Sequence, residues 1–282
     1  MIPPEAGKDI PNPYETLRVT TDGPVATVLM SRPDVYNALN LTMINELTDF
    51  FGGISQDSPI RAVVLAGADR AFSAGADLNW MRSALGNTPD ANIEDTLKLA
   101  DLFETMQSCP RPIVAKIHNF AIGGGVGLVA ACDIAVAEEG TKFAFSEARL
   151  GIVPAVISRF VVPRIGMTHA RELFLTGERF DAEHALRIEL INRVAPKGKL
   201  DEVVNDRLVQ LLQAGPRAQL ATKQRLLPRH TNDEGLRQFT AELTAELRAS
   251  EEGQEGMIAM LDKLIPSWIE SLPDQYRIKL RS

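Results

Sequence analysis

Three short segments hold residue types that could do chemistry together. In AFSAGADLNWM (71–81), Ser73, Ala74, Gly75 and Ala76 lie ahead of Asp77 and directly after a strand-like run. Small side chains leave the main chain open, so an N–H near Ala76 can meet a ligand carbonyl, although an ordinary strand-to-helix turn would look the same. In FAIGGGVGLVAACDIAVA (120–137), Gly123, Gly124 and Gly125 lead into a small-residue helix expected to begin at about Gly125 or Val126. A helix N-terminus offers unpaired N–H donors and a positive dipole end, which suits a developing oxyanion or a phosphate. Gly127, Ala130 and Ala131 would equally permit close helix packing. In FAFSEARLGIVPAVISRFVVPRIG (143–166), Glu147 stands among Phe143, Phe145, Ala148 and Leu150. Burial raises a carboxyl pKa and makes it a better proton carrier at neutral pH. An ion pair with Arg149, Arg159 or Arg164 is the plainer alternative.

Competing motifs are weak. Residues 125–130, GVGLVA, satisfy the G-x-G-x-x-A form of a dinucleotide fingerprint, with Glu147 about 20 residues on. That reading leaves the 71–81 loop unexplained and puts the first cofactor strand unusually far into the chain. No Lys-Ser or Lys-Thr pair ends the glycine run, which excludes a Walker P-loop. His118, His169, His184 and His230 lack metal-ligand spacing and there is no G-x-S-x-G elbow, so neither a metal nor a serine nucleophile is expected. The Glu/Arg-rich stretch 242–252 reads as a solvated helix face.

The elements that must position these residues follow from apolar periodicity. VATVLM (25–30) reads as a buried strand, Ile44, Leu47, Phe51 and Ile54 recur at helical spacing, and RAVVLAG (61–67) reads as the next strand, giving a β-α-β unit. A helix around 93–107, the strand PIVAKIH (112–118), the glycine-led helix and the strand DIAVA (133–137) form a second unit. Alternating strands and helices predict an α/β fold with ligands at strand C-terminal ends. Beyond residue 165 the pattern turns helical: Leu200, Val203, Val204, Leu208, Leu211 and Leu212 share one face, and further helices are expected over 234–249 and 254–264. The expected division is a flexible, proline-rich arm (1–13), a core (14–197) and a C-terminal helical region (198–282).

Composition narrows the function classes. The chain has 282 residues, 45% hydrophobic and 24% charged, with a net charge of −7. An acidic balance disfavours a generic nucleic-acid surface. Two cysteines, Cys109 and Cys132, are too few for a disulfide framework and fit a reducing compartment. With neither a signal-like apolar run nor a membrane-spanning one, a cytoplasmic location is expected, with no membrane partner.

Taken together, the three segments and RPDVYNALN (32–40) resemble the enoyl-CoA hydratase/isomerase family, the crotonase superfamily, over most of residues 15–266. The resemblance implies a β-β-α superhelix of the ClpP/crotonase type, with C-terminal helices completing a homotrimer or a hexamer of paired trimers. It implies an acyl-coenzyme A substrate and no separate cofactor. The thioester carbonyl would be held by the N–H groups of Ala76 and Gly124, with Glu147 as the acid-base residue. Asn37, Ala38 and Leu39 and the loop from Ala74 through Gly75 and Asp77 to Leu78 would line the substrate channel, with Gly123, Gly127 and Pro154. Many family hydratases carry a second glutamate twenty residues before the first; here that position is Gly127. Family isomerases that move a double bond from the 3- to the 2-position manage with one glutamate, which leaves hydratase and isomerase both open. The SEARLGI and PAVIS segments resemble bacterial 3-methylglutaconyl-CoA and isohexenylglutaconyl-CoA hydratases, and tip the expectation toward hydration. Arg159 could pair with the second carboxylate of such substrates, although a helix-surface or interface role is the simpler one. Pro154-Ala155-Val156-Ile157-Ser158 departs from the glycine-rich run of many relatives. In the stretch 255–268, Leu264 and Ile265 stand where relatives are more basic, and Lys263 is the substitute for coenzyme A phosphate contacts there. One relative with methylglutaconyl-CoA hydratase activity binds RNA, a role that the acidic charge argues against.

Overall fold

The computed structural model describes residues 13–215, 219, 220, 223 and 234–266. All of the expected arm except its last residue lies outside this range, as do residues 267 and 268 of the C-terminal stretch. The chain begins with a hairpin of β1 (Leu17–Asp22) and β2 (Val25–Met30), joined by a two-residue turn at Gly23, whose φ is +52°. β1 was not expected, because LRVTTD carries only two apolar residues on an otherwise polar edge.

A 3₁₀ turn (Pro33–Val35) leads into helix α1 (Leu41–Gly52), whose start is fixed by the Asn40 side chain accepting from the Met43 N–H at 2.9 Å. Met43, Ile44, Leu47 and Phe51 fall on one face and are buried, each contributing about 1.5–3 kcal/mol. Ile54 lies past the helix end. β3 (Ala62–Gly67) is buried along its whole length, as a central strand covered on both faces must be. Then come α2 (Leu78–Ser83), α3 (Pro89–Ser108), β4 (Ile113–Ile117), β5 (Phe120–Ile122), α4 (Gly124–Ala131), β6 (Ile134–Glu138) and β7 (Lys142–Ala144). A 3₁₀ turn (Ser146–Leu150), α5 (Ala155–Thr176), β8 (Arg179–Asp181), α6 (Ala182–Arg187), β9 (Arg193–Ala195) and α7 (Leu200–Gln213) follow. The last described helices are α8 (Glu234–Ala249) and α9 (Glu251–Asp262).

The main sheet has the order β1-β2-β3-β4-β6-β9, parallel except for the first hairpin. The large core lies on one face, between these strands and helices α1, α3, α4 and α5. On the other face, Leu200 and Val204 of α7 pack against Val64, Val114 and Val136. A second sheet, β5-β7-β8, stands apart. Three-residue strands leave almost no periodic signal, which is why it was not anticipated. α5 is bent at Gly166, whose φ and ψ are 70° and 164°. α8 packs along α3 and against α5, and α9 packs on α2 and on the Ser146–Leu150 turn. No described helix is long and apolar enough to cross a membrane.

Candidate active site

The three chemical segments converge because parallel pairing laces them together. The loop after β3 forms bridges at Leu39 with Ala76 and at Ser73 with Ala121. The Leu39 N–H donates to the Gly75 carbonyl (2.7 Å), the Asp77 N–H to the Leu39 carbonyl (2.9 Å), and the Ile122 N–H to the Ser73 carbonyl (3.1 Å). These bonds leave the Ala76 N–H pointing away from the ladder. Among the described residues it has no hydrogen-bond acceptor, and neither does the Gly124 N–H, the first of helix α4. The helix therefore begins at Gly124, a residue or two earlier than expected. Two unpaired N–H groups, one at a helix N-terminus, flank one cavity and are suited to a carbonyl oxygen that gains negative charge.

Glycine is required here for definable reasons. Gly75 has a φ of +88°, and a Cβ on it would lie 2.7 Å from the Ile122 carbonyl oxygen, so a larger residue would push the two loops apart. Gly123 has a φ of +50° and ψ of −119°, and a Cβ there would crowd the Glu147 carboxyl at 3.2 Å.

Glu147 is placed by the small sheet. β5 and β7 run in parallel register with Ile122 beside Ala144, and the Gly123 N–H donates to the Ala144 carbonyl at 2.9 Å. The chain then turns through Ser146–Leu150 and brings the Glu147 carboxyl back over Gly123. Burial pushes its pKa up from an ordinary 4.5 to about 7; a backbone hydrogen bond and the charge of Arg248 pull the other way and are outweighed. Its Oε2 is buried without a hydrogen-bond partner. The ion pairs considered from sequence do not form. Arg159 binds Glu104 at 2.5 Å, Arg164 donates to the carbonyls of Cys132 and Leu190, and Arg149 is exposed.

A cavity of about 460 Å³ unites these groups. Ala38, Leu39, Ala74, Gly75, Ala76, Asp77, Leu78, Gly123, Gly124, Glu147 and Pro154 all line it. Asn37 and Gly127 do not, which corrects two expectations. Asn37 is fully buried, accepts from the Arg32 N–H and donates to the carbonyls of Ala68 and Ala71 at 2.8 Å, so its amide braces the loop from behind. Gly127 faces the core, where a Cβ would meet Phe103 Cζ and Ile157 Cγ2, each at 2.6 Å. The space in which a second carboxylate would need to sit is filled by an aromatic ring and a methyl group.

Asp77 also acts mainly as a brace. It accepts from the Asn79 and Trp80 N–H groups, capping α2, and pairs with Arg32 at 2.7 Å. Burial raises its pKa, but the hydrogen bonds from Arg32, Trp80 and Asn79 outweigh burial and hold the carboxyl below its usual value. Arg32 also donates to the Ala38 carbonyl at 2.6 Å, tying the two walls of the channel, a role the sequence did not reveal. Trp80, Met81, Thr96 and Leu99 form the far wall, and Thr244, Arg248 and Met260 the roof. The roof overturns the reading of 242–252 as a solvated face. Glu242 and Glu246 are exposed, but Thr244, Ala245 and Arg248 are buried against the rest of the protein. No group of three or more His, Cys, Asp or Glu side chains among the described residues could hold a metal ion.

Fold and site together define an α/β enzyme whose backbone donors and single carboxyl share an apolar cavity. The sequence profile of the enoyl-CoA hydratase/isomerase family matches residues 20–271, and the chain belongs to that family, the crotonase superfamily. A short-chain-enoyl-CoA hydratase of Clostridium acetobutylicum is 30% identical over 245 residues, 86% of this chain and 93% of the relative. The crystal structure of an enoyl-CoA hydratase from Mycobacterium avium is 33% identical, with a TM-score of 0.80 over 90% of this chain and 99% of the other. One from Shewanella pealeana is also 33% identical, with a TM-score of 0.71 over 91% of this chain and 97% of that one.

Proposed function

We propose that the protein adds water to a 2-enoyl-CoA thioester. The thioester oxygen sits between the Ala76 and Gly124 N–H groups, and Ala38, Leu39, Ala74, Gly75, Asp77, Leu78, Gly123 and Pro154 shape the channel around the acyl and pantetheine groups. The observation that carries this reading is the Glu147 carboxyl, its Oε2 buried and unpartnered, poised over the glycine turn that presents one of the two N–H groups without an acceptor among the described residues.

Glu147 handles every proton in the proposed reaction. Its carboxylate takes a proton from water as the water oxygen bonds to C3 of the substrate. The electrons of the double bond move onto the thioester oxygen, giving an enolate held by the two N–H groups. The protonated Glu147 then returns that proton to C2 on the same face, and the carboxylate is regenerated. Water is added syn and no cofactor is consumed; coenzyme A enters only as part of the substrate. A pKa near 7 lets one group give and take the same proton efficiently at neutral pH. The SEARLGI and PAVIS segments suggest an acyl group of the 3-methylglutaconyl type. The native assembly is proposed to be a trimer or a pair of trimers, consistent with Met167 and Leu175 standing 62% and 76% exposed on α5, and light scattering in solution tests it.

One observation favours a second reading. Among the described lining residues the carboxylates are Asp34, Asp77 and Glu147. Asp34 is exposed and Asp77 is engaged by Arg32 and α2, so Glu147 has no partner acid, and a lone carboxylate is sufficient for moving a double bond from the 3- to the 2-position. The purified protein incubated with crotonyl-CoA and with a 3-enoyl-CoA separates the two. Hydration bleaches the conjugated thioester absorbance of the first, whereas isomerisation creates that absorbance from the second without consuming the first.

A further inference from the structure

The roof of the cavity carries a charge with no ion-pair partner among the described residues. Arg248 is 8% exposed, lines the cavity beside Thr244 one turn earlier on α8, and lays its guanidinium 5.5 Å from the centre of the Trp80 ring. Among the described residues it has neither an ion-pair partner nor a hydrogen-bond acceptor for its guanidinium, whereas Arg32, Arg159 and Arg237 are each bound to carboxylates. It is also the single cation among the described lining residues. The acidic groups whose charges reach it are Asp95 and Glu147. Asp95 stands 3.6 Å from Lys98, and neither acid comes within ion-pair distance of Arg248.

A buried, unpaired guanidinium is costly to a folded protein, and the cost is offset when a ligand brings the counter-charge. The planar fork of arginine fits a carboxylate with two parallel hydrogen bonds, and the Trp80 face presets its orientation. Position decides which anion it meets. Tyr36 and Leu78, 40% and 51% exposed, are lining residues open to solvent, where the bulky nucleotide end of a coenzyme A thioester has room. Arg248, by contrast, is buried, and it shares the lining of the cavity with Thr96 and Leu99 of α3. The phosphates of coenzyme A are separated from the thioester by the whole pantetheine arm, which runs toward the solvent-open lining.

We propose that Arg248 is a specificity-determining residue that binds a carboxylate at the far end of the acyl chain, so that the preferred thioesters are those of short dicarboxylic acids. The assignment rests on the acyl-CoA reading of the site. It differs from the hydratase reading in that it can be tested by binding alone.

The full chain is titrated by calorimetry with glutaryl-CoA, butyryl-CoA and coenzyme A, and is assayed for hydration of glutaconyl-CoA and crotonyl-CoA. The wild type is expected to favour the carboxylated member of each pair by about 10- to 100-fold, the range for a hydrogen-bonded charge. Arg248→Met is expected to erase that ratio and Arg248→Lys to keep part of it, with Arg248→Gln as the alternative if the methionine variant does not fold. Equal preference in the wild type, or a ratio unchanged by these substitutions, overturns the assignment while hydration of crotonyl-CoA leaves the hydratase reading standing. Equal weakening of all three calorimetric ligands also overturns it, because Arg248 would then be holding coenzyme A itself. Arg248-dependent preference for glutaryl-CoA with no hydration of either enoyl thioester upholds the assignment and sinks the hydratase reading.

Discussion

Replacing Glu147 by glutamine removes a titrating group while keeping its shape, so the variant reports what the buried carboxyl does to stability as well as to rate. The carboxyl has a pKa of about 7 in the folded protein against an ordinary 4.5. The folded state thus holds this proton more tightly than the unfolded chain. Stability associated with the group is fully present below pH 4.5, declines as pH rises through the interval, and is gone once the folded carboxyl ionises above pH 7. At about 1.4 kcal/mol per tenfold change in affinity, the penalty at pH 8.5 is about 3 kcal/mol, and about 2 kcal/mol after allowance for water in the cavity. Glutamine never ionises, so Glu147→Gln is expected to be more stable than the wild type at pH 8.5 by this amount and nearly equal to it at pH 5. In a chain of this length that corresponds to a rise in Tm of roughly 4–8 °C at the alkaline pH, read by thermal unfolding at one fixed protein concentration. Turnover is expected to fall by about 100- to 10,000-fold in the same variant. A variant no more stable than the wild type at pH 8.5, or one whose advantage is as large at pH 5, would refute a desolvated, proton-retaining Glu147.

Three further outcomes follow from the same geometry. The wild-type kcat/KM for crotonyl-CoA should rise with pH through an apparent pKa near 7, because the reaction starts from the ionised carboxyl; a flat profile from pH 5.5 to 8.5 would separate catalysis from this group. Gly127→Glu should not restore a two-carboxylate site, since its Cβ meets Phe103 and Ile157 at 2.6 Å; loss of about 1–3 kcal/mol in denaturant unfolding, with no gain in hydration rate, is expected. Asn37→Ala should cost about 1–3 kcal/mol of stability through the carbonyls of Ala68 and Ala71 that it leaves unpaired. Calorimetry on Asn37→Ala should show a smaller effect on butyryl-CoA affinity than on unfolding, and the reverse ranking would put Asn37 in the channel.

What could be read from the sequence depended on the scale of the signal. β2, β3, β4 and β6 are apolar runs of five or six residues, and α1 buries one face with regular spacing, so the parallel core was legible. The small sheet was not, because β5, β7 and β8 are three residues each and owe their existence to pairing with segments distant in the chain. Glu147 stood out as a carboxyl among Phe143, Phe145, Ala148 and Leu150, a local anomaly. Arg248 did not, since the glutamates around it make the helix look solvated, and its burial is imposed by α3, more than a hundred residues earlier. Asn37 misled for a related reason. Proximity in sequence to Ala38 and Leu39 says nothing of side-chain direction, and a left-handed backbone at Asn37, with a φ of 55°, turns the amide away from the channel.

The seating of α9 joins buried side chains such as Met257 to a direct backbone contact. At Gly256 a Cβ would lie 2.1 Å from the Leu150 carbonyl, and at Gly151 one would lie 2.5 Å from the Glu252 carbonyl, so two backbones touch directly beside the turn that carries Glu147. A side chain placed at Gly256 or Gly151 would therefore be felt at the proton carrier beside them. With no room for a side chain at either glycine, the last helix and the turn that carries Glu147 are constrained to shift together.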